Sequence, residues 1–344
     1  MRAPLHSAWL LLPLGAALVV ACNDADDSAS GLTHSASDTG DAGPPDGSPG
    51  KGGEPGAAGD EHNAAAPTKK GSVVVLSDNY IMTTTTSSGT ASRSQAYESS
   101  FTASFVEAPL PSCEEHESSG CTVRTCNYTY GNPSSDAGIP VVRLPHAGGI
   151  RLSGMSTPIT LTPTSSGLYA NYFSQNSTFW YEGVDRTLTI DAEGADVPEF
   201  HGSLRAPNQA VIMKPLPAPL PSGGSTRMQF ARDSSIDFEW ANAGPAQVDV
   251  SLSQQASTGP SSFRLVTITC TFAGAARTGS IPAVLLSTLV AGTSEQGGLY
   301  TTVRAKTHVA SPIVAGDWAI DWRLESNAKS SDDSSLYSYL VNLR

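Results

Sequence analysis

Charge is scarce in this chain. Asp, Glu, Lys and Arg make up 15% of its 344 residues, where an average globular protein carries roughly 25%. Bases are the scarcer kind, 20 Lys and Arg against 32 Asp and Glu, for a net charge of −12. Phosphate backbones demand clustered Lys and Arg, so nucleic acid is excluded as the main partner, and so is docking by charge onto anionic lipid. Good helix formers are also thin, while 32 Gly, 24 Pro and abundant Ser and Thr favour turns and strands. A helical bundle or coiled coil is therefore not expected. Beyond Val20 no hydrophobic run approaches the about 20 residues that span a bilayer. Also missing are the HExxH, H-x-H, G-x-S-x-G and phosphate-loop motifs, the usual marks of zinc proteases, serine hydrolases and NTPases. No cofactor is implied.

What is present begins with an address. Arg2 supplies a positive start, and Ala8 to Val20 is an apolar run of thirteen residues interrupted by Pro13 and Gly15, too short to span a membrane. It ends Leu18-Val19-Val20-Ala21-Cys22, which resembles the lipobox of bacterial lipoproteins: apolar three residues before the cut, small just before it, then Cys. That resemblance implies cleavage of residues 1–21 and a diacylglycerol thioether on Cys22, since a thiolate is the nucleophile that transfer needs. Several acyl chains, at about 0.8 kcal/mol per buried CH₂, make such an anchor effectively permanent.

A tether follows. Residues 22–70 are mostly Asp, Gly, Ala, Ser and Pro, a composition that cannot bury enough apolar surface to offset its ordering entropy. Within 23–68, nine acids face the single base Lys51, so most of the net charge belongs here and the remainder of the chain is only mildly acidic. A flexible linker of this length reaches about 35–40 Å.

Without Cys22, four of the five cysteines remain: Cys113, Cys121, Cys126 and Cys270. An even number in an exported chain points to two disulfides. A local bridge Cys113–Cys121 closing the polar loop between them, with a long-range staple Cys126–Cys270, is the expected pairing. A thiol metal site with His116 would need paired C-x-x-C knuckles, which the spacing lacks. No metal is expected.

From residue 71 onward the pattern has a period of two. Ile236-Phe238-Trp240, Val248-Val250-Leu252, Val266-Ile268-Cys270-Phe272 and Trp318-Ile320-Trp322-Leu324 each alternate with polar residues. This is the signature of antiparallel sheets with one solvated face. The fold expected is all-β, an antiparallel immunoglobulin-like β-sandwich, as two sandwiches over 71–213 and 225–344. Pro at every second position in residues 214–224 marks the linker between them. One short helix is expected at Pro282 to Leu289, with Ser280 as its cap. A faint repeat relates Thr125-Cys126-Asn127-Tyr128 to Thr269-Cys270-Thr271-Phe272. The phrases Gly-Ala-Asp-Val-Pro-Glu-Phe (194–200), Thr-Ile-Thr-Cys-Thr-Phe (267–272) and Ala-Gly-Asp-Trp (315–318) resemble features of uncharacterised exported bacterial lipoproteins. The resemblance implies a β-sandwich on the envelope and brings no activity with it.

Chemistry is sparse. His116, His146, His201 and His308 fall in the folded part; His146 and His201, beside turn residues, read as surface groups. Asp185, Asp191, Glu193, Asp196 and Glu199 surround Gly194 in a way that suits calcium in form, but the series lacks the spacing of an EF-hand loop and reads first as an acidic hairpin tip. Tyr169, Tyr172, Phe173, Phe179, Trp180 and Tyr181 concentrate in one stretch, and Tyr337 and Tyr339 share a face near the end. Trp240, Trp318 and Trp322 belong in the core. Phe179, Trp180 and Tyr181 cannot all face one side of a strand, so Trp180 and Tyr181 are a candidate platform on which a sugar ring would stack. The expectation is a lipid-anchored protein of the bacterial cell envelope, on the outer membrane or periplasmic face. It would act by binding an envelope glycan or protein, or as a structural component. A carbohydrate-binding or adhesive module, and a hydrolase with a loop-assembled site, are the alternatives; no catalytic residue is assigned.

Overall fold

The computed structural model describes residues 67–85, 91–107, 113–129, 144–155, 158–174, 186–217, 227–294, 298–332 and 335–344. Cys22, the tether up to residue 66, residues 218–224 of the Pro-rich linker, Asp185, and the Phe179-Trp180-Tyr181 run lie outside the described residues.

Residues Ala65–Arg344 form one compact unit. Its first strands are β1 (Lys69–Thr85), β2 (Ala91–Val106), β3 (Cys113–Ser118) and β4 (Cys121–Thr129). Next come β5 (Ile150–Ser153), β6 (Ile159–Leu161), β7 (Tyr169–Ser174), β8 (Thr187–Ala192), β9 (Phe200–Arg205) and β10 (Val211–Lys214). After the linker come β11 (Arg227–Phe230), β12 (Ile236–Ala241), β13 (Gln247–Gly259), β14 (Ser262–Ala273) and β15 (Thr278–Ile281). A one-turn helix α1 (Ala283–Leu286) precedes β16 (Leu299–Ala315), β17 (Trp318–Asn327), β18 (Lys329–Ser330) and β19 (Ser338–Leu343). The helix is shorter than expected. Ser280 is taken up by β15, and Pro282 holds the N-cap position without a side-chain bond.

The strands form one large sheet and two small ones, mostly antiparallel. The large sheet runs β3-β4-β14-β13-β16-β17-β1-β2-β7, with β19 and β11 attached beside β16; the small sheets are β15-β12-β10-β18 and β6-β5-β8-β9. The linker at 214–224 does not separate sheets. Strands β1 to β4 and β7 from before it share the large sheet with β13, β14, β16 and β17 from after it. Each small sheet closes a separate core against the large one, as layered β architecture requires. The first core gathers Phe238 and Trp240 from β12 with Val248, Val250 and Leu252 of β13 and Val303 and Ala305 of β16. The second gathers Leu188 and Ile190 of β8 with Phe101 and Phe105 of β2 and Trp318, Ile320 and Trp322 of β17. Both cores use odd-numbered residues of β16, which alternation places on one face of the strand.

The large sheet cannot be flat. Six peptide links join Glu107 to Cys113, a reach of at most about 21 Å, whereas β2 and β3 stand seven strand spacings apart, about 34 Å in a plane. At its centre both faces are out of solvent. Ser72, Val74, Asp249, His308, Arg323 and Glu325 alternate with core residues, yet all are buried. Where the tether meets the fold, the backbone N–H groups of Thr68 and Lys69 donate to the Asp317 carbonyl, and Lys69 Nζ lies 3.2 Å from Glu107 and over the Trp318 ring.

Two disulfides form, and their pairing corrects the expected one: Cys113 bonds Cys126, and Cys121 bonds Cys270. Register is the reason. Residues 113–118 are a strand rather than a loop, turned into β4 by Ser119-Gly120 with both φ positive, so Cys113 lands opposite Cys126. The β4–β14 ladder sets Cys121 opposite Cys270. Cys121 and Cys126 are five residues apart on one strand, an odd separation that puts them on opposite faces. Cys126 therefore cannot reach Cys270. Loop-closure entropy predicts unequal contributions, about 3 kcal/mol for the pair separated by 13 residues and about 5 kcal/mol for the pair separated by 149. Urea unfolding of the Cys113→Ser/Cys126→Ser and Cys121→Ser/Cys270→Ser double variants should show the larger loss in the second.

Candidate functional site

Among the described residues, a set of ionisable groups gathers in the centre of the large sheet, on the face turned away from both cores. Asp249 stands on β13 directly opposite Thr271 of β14 and Lys306 of β16. His308 stands opposite Glu325 of β17, and Asp321 and Arg323 continue the same face of β17. Opposed residues of an antiparallel pair share a face, so the registers alone bring these groups together.

Their geometry is that of a buried ion-pair cluster. The Thr271 hydroxyl donates to Asp249 Oδ1 at 2.7 Å. Nδ1 of His308 lies 2.8 Å from Asp249 Oδ2, close enough for an ion pair although the ring N–H does not aim at the oxygen. Lys306 Nζ donates to Glu325 Oε1 at 2.9 Å and sits 4.0 Å from Asp249 Oδ2. Arg323 Nε contacts Asp321 Oδ2. Asp249 is 0% exposed and His308 5%.

Burial alone would raise the Asp249 carboxyl, but the His308 contact, reinforced by Lys306 and the Thr271 hydroxyl, outweighs it and holds the group below the ordinary carboxylate range. Asp321 goes the other way: burial pushes it up, and Arg323 only partly opposes the rise. Asp249 of β13 and Asp321 of β17 thus bind protons in different ranges. The alternation of Asp249 with Val248 and Val250 had implied a solvated side chain, and so had that of Asp321 and Arg323 with Trp322. Asp249 and Arg323 are instead buried. His308, which carried no assignment from the sequence, is the histidine held against a buried acid.

The other candidates are placed as follows. Glu193 Oε2 accepts the Gly149 N–H at 3.0 Å, and Asp196 Oδ2 accepts the His146 N–H at 3.3 Å. These two carboxylates of the acidic turn sew residues 193–199 to residues 146–149. Gly194 is required there, with φ +85° and a would-be Cβ 2.8 Å from the Glu199 nitrogen. Tyr169 fastens the same loops, accepting the Ala147 N–H at 2.8 Å and donating to the Gly148 carbonyl at 2.7 Å. Among the described residues no three His, Cys, Asp or Glu form a group that could hold a metal ion. His116 and His201 are exposed on β3 and β9. Trp240, Trp318, Trp322 and Tyr337 are core residues, the Tyr337 hydroxyl donating to the Pro215 carbonyl at 2.9 Å. Tyr172, on β7, is 73% exposed.

Breaking a buried pair leaves one charge without compensation. Asp249→Asn should therefore cost about 3–5 kcal/mol near neutral pH in denaturant unfolding. The sign of the pH dependence follows from the folded-state direction. A depressed carboxylate contributes stability above its unfolded value, near 3.9, which is lost as pH falls through the lower folded value. Asp321, raised, contributes the reverse: its ionisation opposes folding above the folded value, and Asp321→Asn should remove that opposition. Stability measured from acid to neutral pH should therefore rise less steeply in Asp249→Asn than in the wild type, and more steeply in Asp321→Asn.

No family model matches the chain, and no curated protein matches it in sequence.

Proposed function

We propose that the protein is a lipid-anchored component of a bacterial cell envelope, a tethered β-sandwich domain that acts by binding or as a structural element. The observation that carries this reading is the division of labour among the cysteines. Cys113, Cys126, Cys121 and Cys270 are used in two cross-strand disulfides. The fifth cysteine, Cys22, is needed by neither and stands where the lipobox resemblance sets the lipid attachment. Two disulfides place folding in an oxidising compartment, as export requires. Among the described residues no helix is long and apolar enough to cross a membrane. The anchor is the lipid, and residues 23–66 are the polar spacer between it and β1.

Exposed Tyr172 favours a glycan as the partner. Its strand β7 leads directly into the stretch that holds Trp180 and Tyr181, and an exposed ring offers the flat apolar surface on which pyranoses stack. The buried Asp249–His308 pair, enclosed within the sheet, is not placed to meet a substrate. This favours binding over hydrolysis.

Metabolic labelling with a fatty-acid analogue tests the anchor. The wild-type chain should carry label and partition with membranes, and Cys22→Ser should lose both; label retained in Cys22→Ser overturns the reading. Glycan-array binding that weakens in Tyr172→Ala would support the sugar partner.

A further inference from the structure

The two cores share a sheet through β16, and the length over which they share it is short. The ladder with β13 covers residues 299–308 of β16, and the ladder with β17 covers residues 306–315. The two ladders overlap on Lys306, Thr307 and His308. On the first-core side of this overlap lie β13 and β14. On the other lie β17, β1 and β2, which carry the second core. Lys306 and His308, the residues of the overlap on the face turned away from the cores, are two of the three bases of the cluster, Arg323 being the third.

We propose that residues 306–308 of β16 are a hinge between the two cores, and that the contacts of Asp249, Lys306, His308 and Glu325 are an acid-sensitive latch across it. Each base faces acids from both sides of the hinge. Lys306 Nζ reaches Glu325 of β17 at 2.9 Å and Asp249 of β13 at 4.0 Å. His308 contacts Asp249 at 2.8 Å and stands opposite Glu325. From β13 the latch is faced by Asp249 and from β17 by Glu325, with the Arg323–Asp321 pair farther along that strand. From β14 it is faced by the Thr271 hydroxyl. Ser72, Val74 and Leu76, the β1 residues opposite Asp321, Arg323 and Glu325, are uncharged.

Acid that neutralises Asp249 costs Lys306 and His308 the carboxylate they face on β13. That penalty falls on the overlap and on neither core. The apolar contacts within each core are indifferent to it, so the hold between the cores weakens before the cores themselves do. The low folded-state range of Asp249 agrees with this order, because the latch stays shut until the pH passes below the ordinary carboxylate range.

Differential scanning calorimetry of the full chain is the test. Cores coupled through the latch should unfold in one two-state transition at neutral pH. At about pH 3, below the free carboxylate value, that transition should resolve into two. Asp249→Asn should show two transitions already at neutral pH. Thr271→Val removes only the hydroxyl that steadies Asp249, so it keeps the test open if Asp249→Asn does not fold; it should split at a higher pH than the wild type. A single two-state transition that merely moves to lower temperature, in acid and in Thr271→Val alike, would overturn the hinge.

Discussion

The constraint on which the rest of this molecule depends is that one strand serves two cores. β16 lends Val303 and Ala305 to the first and Ala315 to the second, always from the same face. Two small sheets can then lie on one side of a single large one, each with its own apolar interior. The arrangement also explains why chain order and spatial order disagree. β1 must return to pair in parallel with β17, and β4 must return to pair with β14, so neither core is built from one continuous half of the chain.

Once the cores are separate, what joins them must be something other than shared apolar packing. Backbone pairing supplies part of it, through the overlap at residues 306–308. The Thr307 hydroxyl adds a bond to the Ser326 carbonyl at 3.2 Å. The ion-pair cluster adds the contacts of Lys306 with Asp249 and Glu325 and of His308 with Asp249. Disulfides reinforce the opposite margin, where the short edge strand β3, exposed along most of its length, is fastened to β4 and β4 to β14.

Much of this was legible in the sequence, and the parts that were not have a common cause. Period-two alternation located β12, β13, β14 and β17 because each has one face on an apolar core. The even count of cysteines gave the number of bridges. Their pairing could not be read, because it depends on which residue of β4 stands opposite which residue of β3 and β14, and register between distant strands leaves no local mark. Residues 113–118 read as a loop because their polar side chains suit a turn as well as an exposed edge strand. The buried cluster was missed for a related reason. A polar residue between two apolar ones looks the same whether its face meets water or meets other polar groups, so Asp249 read as solvated.

Why charges occupy this seam follows from the same ambiguity. Over most of β16 burial itself distinguishes the faces, one toward a core and the other toward solvent. At residues 306–308 that distinction fails, since Thr307 and His308 are both buried. Apolar residues on both faces would leave a continuous apolar run from Ala305 to Val309. A one-residue slip, which exchanges the faces, would then cost little at the point where the two ladders meet. Lys306 and His308 remove that freedom. A slip would drive both bases into the cores and leave Asp249 and Glu325 unpaired on the other side, a penalty of several kcal/mol for each uncompensated charge. The cluster therefore need not add net stability over an apolar filling to be useful. It fixes the register of the strand on which both cores depend, at the one stretch where hydrophobic patterning cannot.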